Sequence, residues 1–396
     1  MKTAIESSKP ATTCSAKTPS RFPFLDLKAQ HASIADEISA AVNQVLANQE
    51  LILGPEVRLF EDEVAALIGT KYCISCASGS DALLLALMAL ALKPGDEVIT
   101  TPFTFVATAG SIARTGATPV FVDIDPHTFN IAADQLASSM TKRTRAIMPV
   151  HLFGLPAAMA PIMEIANSHG VAVVEDSAQA IGARYCGRCV GTIGDIGCFS
   201  FFPSKNLGGA GDGGMLCTDD RLLADRTKIL RVHGSREKYH YEHLGINSRL
   251  DTLQAAILRV KLKHLEDWSA ARARNAARYA ALFTVSGLSD FIELQGTPSE
   301  SSHVYNQFVI RARDRDRLRQ HLASSGIPTE IYYPVPLHLQ PAFAYLGYKI
   351  SDLPESERAC KEVLALPIFP EIKDEQMEEV VHSISAFYEG HAVAAA

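Results

Sequence analysis

Short runs of β-branched and other apolar residues alternate with helical segments through the first half of the chain. The runs lie at residues 72–75, 97–100, 119–122, 146–150 and 171–174. Segments with helical or Gly/Pro-marked patterns, such as 81–92 and 156–168, separate them. This alternation predicts crossover units around a mostly parallel sheet covered on both faces. Ligands of such sheets bind in loops after the carboxyl ends of the strands, and we expect the chemistry there.

The second half of the chain predicts a smaller α+β domain behind a connecting helix. Residues 182–218 hold short runs and turn glycines, which indicate antiparallel strands and hairpins added to the sheet. One helix is expected over 250–282, and strands and helices mix after it. The predicted strands are 305–310 and 329–333, and the predicted helices are 317–324, 355–364 and 375–388. The predicted divisions are a disordered tail (1–20), a large domain that holds the sheet (21–250), a connecting helix (251–286) and a small C-terminal domain (287–396).

Composition excludes several classes of protein. Of the 396 residues, 47% are hydrophobic and 20% charged, as in ordinary globular proteins. The longest apolar stretch, 82–92, is shorter than the roughly 20 residues that a membrane helix needs. The net charge of −7, with both signs interspersed, offers no basic face to nucleic acid. Residues 1–20 lack the apolar core of a secretory signal, and most of the eight cysteines lie in apolar runs, so we expect a cytoplasmic protein with no membrane or nucleic-acid partner.

The most informative segment, residues 199–214, places a lysine between aromatic residues and tight glycine turns. Lys205 follows Phe201 and Phe202 and precedes Gly208 and Gly209. Partial desolvation there would lower the pKa of the lysine and make its amine a nucleophile toward an aldehyde. The alternative is a loop lysine whose ammonium group reaches solvent.

Two other segments complement this lysine. Asp176 ends an apolar strand 29 residues earlier, where its carboxylate would point into the ligand crevice and could pair with the protonated pyridine nitrogen of pyridoxal phosphate. The alternative for Asp176 is a cap of the strand-to-loop turn. Residues 76–82 are small and open an apolar helix, so their backbone N–H groups and the Ser80 hydroxyl suit a phosphate. The same residues also suit a simple helix cap.

With residues 102–108 and 245–251, these segments resemble the pyridoxal-phosphate sugar aminotransferases of the DegT type, from about residue 24 to the C-terminal helix. The resemblance implies an α/β type I aminotransferase fold, in which helices flank a mostly parallel seven-stranded sheet and a smaller α+β domain follows. It also implies pyridoxal 5′-phosphate as the cofactor, no metal, and a homodimer whose active sites are shared between subunits.

The resemblance also implies individual roles. Lys205 is the Schiff-base lysine and acid/base, and Asp176 pairs with the pyridinium nitrogen. The other implied cofactor contacts are Gly79, Ser80 and Ser200 at the phosphate, Phe105 stacked on the ring, Gln179 near the ring hydroxyl, and Asn247 reaching in from the partner subunit. Relatives commonly carry Thr at the position of Ser80, which keeps the hydroxyl.

Residues 52–57, 202–205 and 247–256 resemble the branch that aminates UDP-2-acetamido-2-deoxy-3-oxoglucuronate with L-glutamate, for surface polysaccharide such as lipopolysaccharide O-antigen. A guanidinium at Arg249 can bind a uronate carboxylate through two parallel hydrogen bonds, unless it pairs with Asp251 or solvent. Ser204, Tyr332 and Tyr333 are implied to border the sugar nucleotide. Relatives of this branch often carry His in place of Tyr332.

Other functions have less support from the residues. Amination of a 4-keto-6-deoxy nucleotide sugar is the nearest alternative, but that substrate has no carboxylate for Arg249. Sugar dehydratases of this fold replace the Schiff-base lysine by His, and Lys205 disfavours that reaction. A non-catalytic protein that binds pyridoxal phosphate would need added interaction segments, and the sequence contains none.

Three remaining patterns have structural explanations. The pairs Cys73/Cys76 and Cys186/Cys189 lie 110 residues apart, outside the usual spacing of a zinc knuckle, and no metal site is predicted. His151 ends a strand and by position faces the crevice, although a hydrogen-bonded histidine near the core is equally consistent with the pattern. Residues 311–317 alternate arginine with aspartate or alanine and are interpreted as a solvated helix start.

Overall fold

The structure, a computed structural model, describes residues 20–394, with side chains described as far as residue 390. The disordered tail predicted for residues 1–20 lies outside the described residues except for its last position. The strands are β1 (Tyr72–Cys76), β2 (Glu97–Thr100), β3 (Thr118–Phe121), β4 (Thr144–Ile147), β5 (Ala172–Asp176), β6 (Arg184–Tyr185), β7 (Arg188–Cys189), β8 (Ile196–Ser200), β9 (Gly214–Thr218), β10 (Ser235–Glu237), β11 (His240–Tyr241), β12 (Ile292–Leu294), β13 (Ser301–Ser302), β14 (Phe308–Ala312) and β15 (Val363–Leu366). The helices are α1 (Leu27–Ala32), α2 (Ala35–Asn48), α3 (Pro55–Ile68), α4 (Gly79–Ala89), α5 (Val106–Arg114), α6 (Leu136–Ser139), α7 (Met159–His169), α8 (Arg221–Leu230), α9 (Thr252–Leu262), α10 (Leu265–Val285), α11 (Arg315–Ser324), α12 (Pro354–Glu362) and α13 (Asp374–Ala394).

Seven strands form the central sheet, in the order β1-β9-β8-β5-β4-β2-β3. Neighbouring strands are parallel except where β9 pairs with β1 and with β8. The prediction of a mostly parallel seven-stranded sheet flanked by helices is therefore confirmed. Because β1, β5 and β8 run in the same direction, the loops that follow them meet at one edge of the sheet.

Helix α4 is apolar on every side and packs within the fold rather than on its surface. Leu83, Leu85 and Leu87 are fully buried in one cluster with residues of β8 and β9. A helix without a polar face is stable only when it is enclosed in this way. The N-terminus of α4 is thereby fixed beside the ends of β1 and β8.

Two predictions about the middle of the chain need correction. The antiparallel addition predicted for residues 182–218 is confirmed for β9, which pairs antiparallel with β8 and β1. It is wrong for the hairpin β6–β7, which pairs with β13 in a separate sheet, and for β8, which is parallel to β5. The single helix predicted over 250–282 is α9 and α10, divided at Lys263 and His264. The helix divides because its halves pack against different partners: α9 lies on α2 and α3, and α10 lies on α13.

The C-terminal part contains the antiparallel sheet β12-β14-β15 and the helices α10, α11 and α13 around one apolar cluster. The strand predicted at 329–333 is reduced to one bridge between Glu330 and Ala365. The helix predicted over 355–364 ends at Glu362 because β15 begins at the next residue, where Val363, Leu364 and the following apolar residues are all buried.

The arginines of residues 311–317 do not form a uniformly solvated helix start. Arg311 lies buried in β14 and its Nε is 3.2 Å from an Oε2 of Glu362. Arg315 is buried at the start of α11 and donates to the carbonyls of Val363 and Cys360. These two arginines connect α11 and β14 to the segment between α12 and β15, so a solvated helix start is wrong for Arg311 and Arg315.

None of the helices within residues 20–394 combines the length and the hydropathy needed to cross a bilayer. In the same part of the chain, no group of three or more His, Cys, Asp or Glu side chains has a metal-binding arrangement. Of the cysteines in the two Cys-x-x-Cys pairs, Cys186 is exposed and the other three are buried.

Candidate functional site

Asp176 is the last residue of β5, and its carboxylate is buried at the carboxyl edge of the sheet. Thr108 Oγ1 donates to Asp176 Oδ2 over 2.8 Å, and the Ala178 N–H donates to Oδ1 over 3.2 Å. Burial raises the pKa of Asp176, while these two donors and the Lys205 ammonium oppose that shift. The bond from the Ala178 N–H is that of a turn cap, so Asp176 caps its turn through Oδ1 while Oδ2 accepts from Thr108.

Lys205 follows β8 in a tight loop, where its N–H donates to the Phe202 carbonyl over 2.8 Å. Desolvation lowers the pKa of Lys205 to about 8, and Asp176 partly opposes this shift. Two side chains of α9 hydrogen-bond to the backbone after Lys205. Lys261 Nζ donates to the Gly208 carbonyl over 2.6 Å, and Gln254 Oε1 accepts from the Ala210 N–H over 2.8 Å. The ammonium of Lys205 therefore does not behave as a freely solvated loop lysine.

Gly79 opens α4, and its backbone closely approaches Ser200 at the end of β8. A Cβ at Gly79 would lie only 2.6 Å from Ser200 Cβ, so a larger residue there would push the two segments apart. Ser78 caps the helix by accepting from the Asp81 N–H over 3.1 Å. Gly79, Ser80 and Ser200 thus meet at the N-terminus of an 11-residue helix, where free N–H groups and the helix dipole favour an anion.

The segment after β11 is tied to this helix N-terminus through Ser248. Ser248 Oγ donates to Asp81 Oδ2 over 2.7 Å and accepts from the Ala77 N–H over 3.1 Å. The neighbouring Asn247 side chain is exposed. Arg249 is half-buried, and among residues 20–390 no carboxylate lies within 4 Å of its guanidinium, so the suggested pair with Asp251 does not form.

Gln179 joins the loop after β5 to the C-terminal part. Its Oε1 accepts from the Phe153 N–H over 2.6 Å, and its Nε2 donates to the Tyr333 hydroxyl over 3.2 Å. The Phe105 ring is 54% exposed at the start of α5, with its centroid 6.4 Å from that of Tyr333. One N–H of Gln179 and one face of Phe105 thus remain available to a ligand.

A cavity of about 300 Å³ lies between the loop that carries Lys205 and residues of the C-terminal part of the chain. Ser204 and Tyr332 both line it, together with Arg272, Asn306 and Gln307. The loop that carries Lys205 therefore also borders a space large enough for part of a second ligand.

His151 has a structural role, and the interpretation of a near-core histidine is confirmed. It is fully buried, its Nε2 lies 2.9 Å from Glu175 Oε2, and its Nδ1 accepts from the Ala157 N–H over 3.0 Å. Glu175 also accepts three backbone N–H groups, from residues 191, 193 and 194. Burial raises the pKa of Glu175, but these hydrogen bonds outweigh it and the net shift is downward. The pair fixes the end of β5 instead of facing the ligand crevice.

Sequence reasoning assigned no role to three hydroxyls that the structure places at the site. Ser248 lies between Asn247 and Arg249, and Thr104 and Thr108 lie within residues 102–108. The signal available for the two threonines is their spacing of four residues around the start of α5, with Thr108 in its first turn and Thr104 two residues before it.

The arrangement fits a ligand of defined chemistry. An anion such as a phosphate suits the Gly79 helix terminus, an aldehyde suits the desolvated amine of Lys205, and a protonated ring nitrogen suits the buried Asp176 carboxylate. The side chains of one strand end, one loop and one helix terminus thus accommodate three different groups of a single molecule.

Comparison with known proteins gives a consistent family. The DegT/DnrJ/EryC1/StrS aminotransferase family matches residues 32–385. The chain is 51% identical over 366 residues to the pleiotropic regulatory protein of Geobacillus stearothermophilus, covering 92% of this chain and 98% of that protein. It is 46% identical over 359 residues to UDP-N-acetyl-3-dehydro-alpha-D-glucosamine 3-aminotransferase of Acidithiobacillus ferrooxidans, with 91% and 96% covered. It is 45% identical over 348 residues to UDP-2-acetamido-2-deoxy-3-oxo-D-glucuronate aminotransferase of Pseudomonas aeruginosa, with 88% and 95% covered.

A solved structure agrees with the fold. The crystal structure of DesV from S. venezuelae in complex with a ketimine intermediate superposes with a TM-score of 0.89 at 43% identity. The match covers 93% of this chain and 99% of the DesV chain.

Proposed function

We propose that this chain, which belongs to the DegT/DnrJ/EryC1/StrS aminotransferase family, transfers the amino group of L-glutamate to UDP-2-acetamido-2-deoxy-3-oxoglucuronate. The coarser function, a pyridoxal-phosphate-dependent sugar aminotransferase, follows from the family and its relatives. The product would be a 3-amino sugar nucleotide for surface polysaccharide. The observation that carries the catalytic assignment is a half-buried lysine in the loop after β8 that interacts electrostatically with the buried aspartate at the end of the neighbouring strand β5.

The residues at the site fit pyridoxal phosphate. In the proposed assignment, Gly79, Ser80 and Ser200 hold the phosphate, and the close approach of Gly79 to Ser200 leaves no room there for a larger side chain. The exposed ring of Phe105 stacks on the pyridine face, and the remaining N–H of Gln179 reaches the ring hydroxyl. Pyridoxal phosphate, when bound, supplies an electron sink for the carbon that loses a proton.

Lys205 and Asp176 act on different protons in the proposed reaction. Lys205 Nζ would hold the cofactor, and as a free amine it would carry the proton that leaves the Cα of the amino donor. Its lowered pKa keeps a useful fraction of the amine neutral near pH 7. Asp176 holds the proton on the ring nitrogen at the opposite end of the site.

Arg249 is the residue that we assign to substrate choice. Its guanidinium has no carboxylate partner among residues 20–390, so a uronate carboxylate could take both donors of one guanidinium edge. Ser204, Tyr332 and Tyr333 border the sugar nucleotide in this proposal, and the first two line the cavity beside the Lys205 loop. A neutral 3-keto sugar, the substrate named for the Acidithiobacillus relative, has no such carboxylate.

We expect Arg249→Met to lower kcat/KM for the UDP-3-oxouronate by about 100-fold, the effect of losing two charge-assisted hydrogen bonds. The kcat/KM for the neutral 3-keto counterpart should change by less than about threefold, since that sugar makes neither bond. The measurement is transamination with glutamate against a panel of 3-keto uronate, neutral 3-keto and 4-keto-6-deoxy nucleotide sugars.

Arg274→Met provides the matched control, because Arg274 is an exposed arginine on α10. It should leave every substrate of the panel unaffected. Equal losses with the uronate and its neutral counterpart in Arg249→Met would show that Arg249 does not recognise a carboxylate. Higher activity of the unaltered enzyme on a 4-keto-6-deoxy sugar would instead favour the nearest alternative.

The proposed assembly is a cytoplasmic homodimer with shared sites. Leu244 is 94% exposed and lines a groove of about 600 Å³ in which apolar residues such as Leu84, Met88 and Ile246 lie beside Arg114 and Arg226. The exposed Asn247 lies next to this groove along the chain. A second copy would cover the apolar surface and receive Asn247 at its phosphate site. All seven cysteines in the described residues are free, which accords with a reducing compartment.

Mixing Asn247→Asp with Lys205→Ala tests this sharing. In a mixed dimer, one site combines an intact Lys205 with an intact Asn247, whereas the other site carries both defects. In purified mixed dimers, one of the two sites is intact, so activity should reach about one half of that of the unaltered enzyme. Transamination is measured on dimers purified through two different affinity tags. Mixed dimers no more active than their parents would mean that each subunit supplies its own Asn247.

A further inference from the structure

Two buried hydroxyls lie in line behind the Asp176 carboxylate. Thr108 Oγ1 donates to Asp176 Oδ2 over 2.8 Å, and the Thr104 and Thr108 hydroxyl oxygens are 2.9 Å apart. Both threonine side chains are buried. A hydroxyl has one proton, and that of Thr108 is used toward the carboxylate, so Thr104 must be the donor to Thr108. The order of donation is therefore fixed as Thr104 to Thr108 to Asp176.

We propose that Thr104 and Thr108 form a hydroxyl relay that keeps Asp176 ionised and aimed at the cofactor ring nitrogen, with Thr108 as the positioning residue. The inference rests on the proposed role of Asp176. A carboxylate at this depth is destabilised by desolvation, and a donor to its charged form offsets that cost. Donation from Thr104 polarises the Thr108 hydroxyl and strengthens its bond to the carboxylate.

The shorter of the two hydrogen bonds to the Asp176 carboxylate comes from Thr108. Besides Thr108, the Ala178 N–H is the other hydrogen-bond donor to Asp176 among the described residues, at the longer distance of 3.2 Å. The ionisable groups that face Asp176 are Lys205, His151, Cys198 and Tyr333. His151 is engaged by Glu175 and Ala157, and burial raises the pKa values of Cys198 and Tyr333.

The test compares two probes on the apoprotein, pyridoxal phosphate and its 1-deaza analogue, which carries C–H in place of the ring nitrogen. Thr108→Val should weaken binding of pyridoxal phosphate by about tenfold, because a hydrogen bond to a charged group is lost. The same change should not weaken binding of the analogue, which presents no ring nitrogen to Asp176. Dissociation constants from equilibrium titration give both values.

Three further variants make the comparison specific. Thr108→Ser keeps the hydroxyl and should restore pyridoxal phosphate binding to within about twofold of the unaltered protein. Thr104→Val should give a smaller loss, again confined to pyridoxal phosphate. Thr100→Val is the matched control: the buried Thr100 hydroxyl donates to the Met148 carbonyl over 2.8 Å and does not contact Asp176. It should affect the two probes equally.

The relay is wrong if Thr108→Val weakens both probes equally, since that pattern indicates general distortion of the site, or if it weakens neither probe. Should Thr108→Val fail to fold, the selective loss in Thr104→Val decides the matter in the same way. Asp176→Asn distinguishes a failure of the proposed role of Asp176 from a failure of the relay. If that variant also treats both probes alike, the role of Asp176 itself fails, whereas a selective loss there without one in the threonine variants overturns only the relay.

Discussion

Replacing Lys205 with alanine is expected to end covalent attachment of pyridoxal phosphate and to lower kcat for transamination by about a thousandfold or more. The side chain supplies both the attaching nitrogen and the base that moves the proton, so one substitution removes two functions. Borohydride reduction followed by intact-mass measurement tests the attachment: the unaltered protein should retain the pyridoxyl group, and the variant should not. Small primary amines added to the variant should partly restore the rate, because they can replace the missing base.

Lys263→Ala is the matched control, since Lys263 is an exposed lysine between α9 and α10 that lies 3.7 Å from Glu37. It should remain fully active and fully reducible by borohydride. A Lys205→Ala protein that still retains the pyridoxyl group would place the attachment at another lysine. That result would remove the basis of the whole catalytic assignment.

The pH dependence of attachment follows from the environment of Lys205. Its pKa is lowered to about 8, and the neutral amine is the nucleophile. At pH 7 about one-tenth of the amine is then neutral, far more than for a solvated lysine. The rate at which the apoprotein captures pyridoxal phosphate should therefore rise with pH and level off above about pH 8, in stopped-flow absorbance traces. A rate still rising at pH 10 would show that the apoprotein leaves Lys205 solvated.

The sequence was sufficient to predict the parts of the site that lie at strand ends. Asp176 and Lys205 follow apolar strands of a parallel sheet, and Gly79 opens a helix after another such strand. The direction of parallel strands brings these positions to one edge whatever the details of packing. Chemistry that depends on backbone direction can therefore be inferred from an alternating pattern of strands and helices.

Contacts set by tertiary packing could not be predicted. The division of the long helix at His264 depends on α9 and α10 having different partners, which a continuous helical pattern does not reveal. The change from helix α12 to strand β15 at Val363 likewise depends on the pairing of β15 with β14. His151 shows the same limit: its position at a strand end was compatible with the crevice, and only the bond to Glu175 identifies it as structural.

Asp176→Asn is expected to lower kcat by about 100-fold or more while the protein still attaches the cofactor through Lys205. Asparagine keeps the size of the side chain but cannot hold a proton on the ring nitrogen, so the electron sink weakens. Burial raises the pKa of Asp176, so its ionised form destabilises the folded apoprotein at pH 8, and the neutral asparagine should give an apoprotein Tm no lower than normal. Single-turnover kinetics, borohydride trapping and calorimetry of the apoprotein measure turnover, cofactor attachment and Tm.

Asp195→Asn is the control for this variant. The exposed Asp195 carboxylate lies before β8, at the end of the sheet opposite Asp176, and accepts from the Val173 N–H over 2.7 Å; asparagine at this position retains an acceptor. Normal turnover in Asp176→Asn would assign the proton on the ring to another group, and a large fall in apoprotein Tm would show that the residue serves the fold.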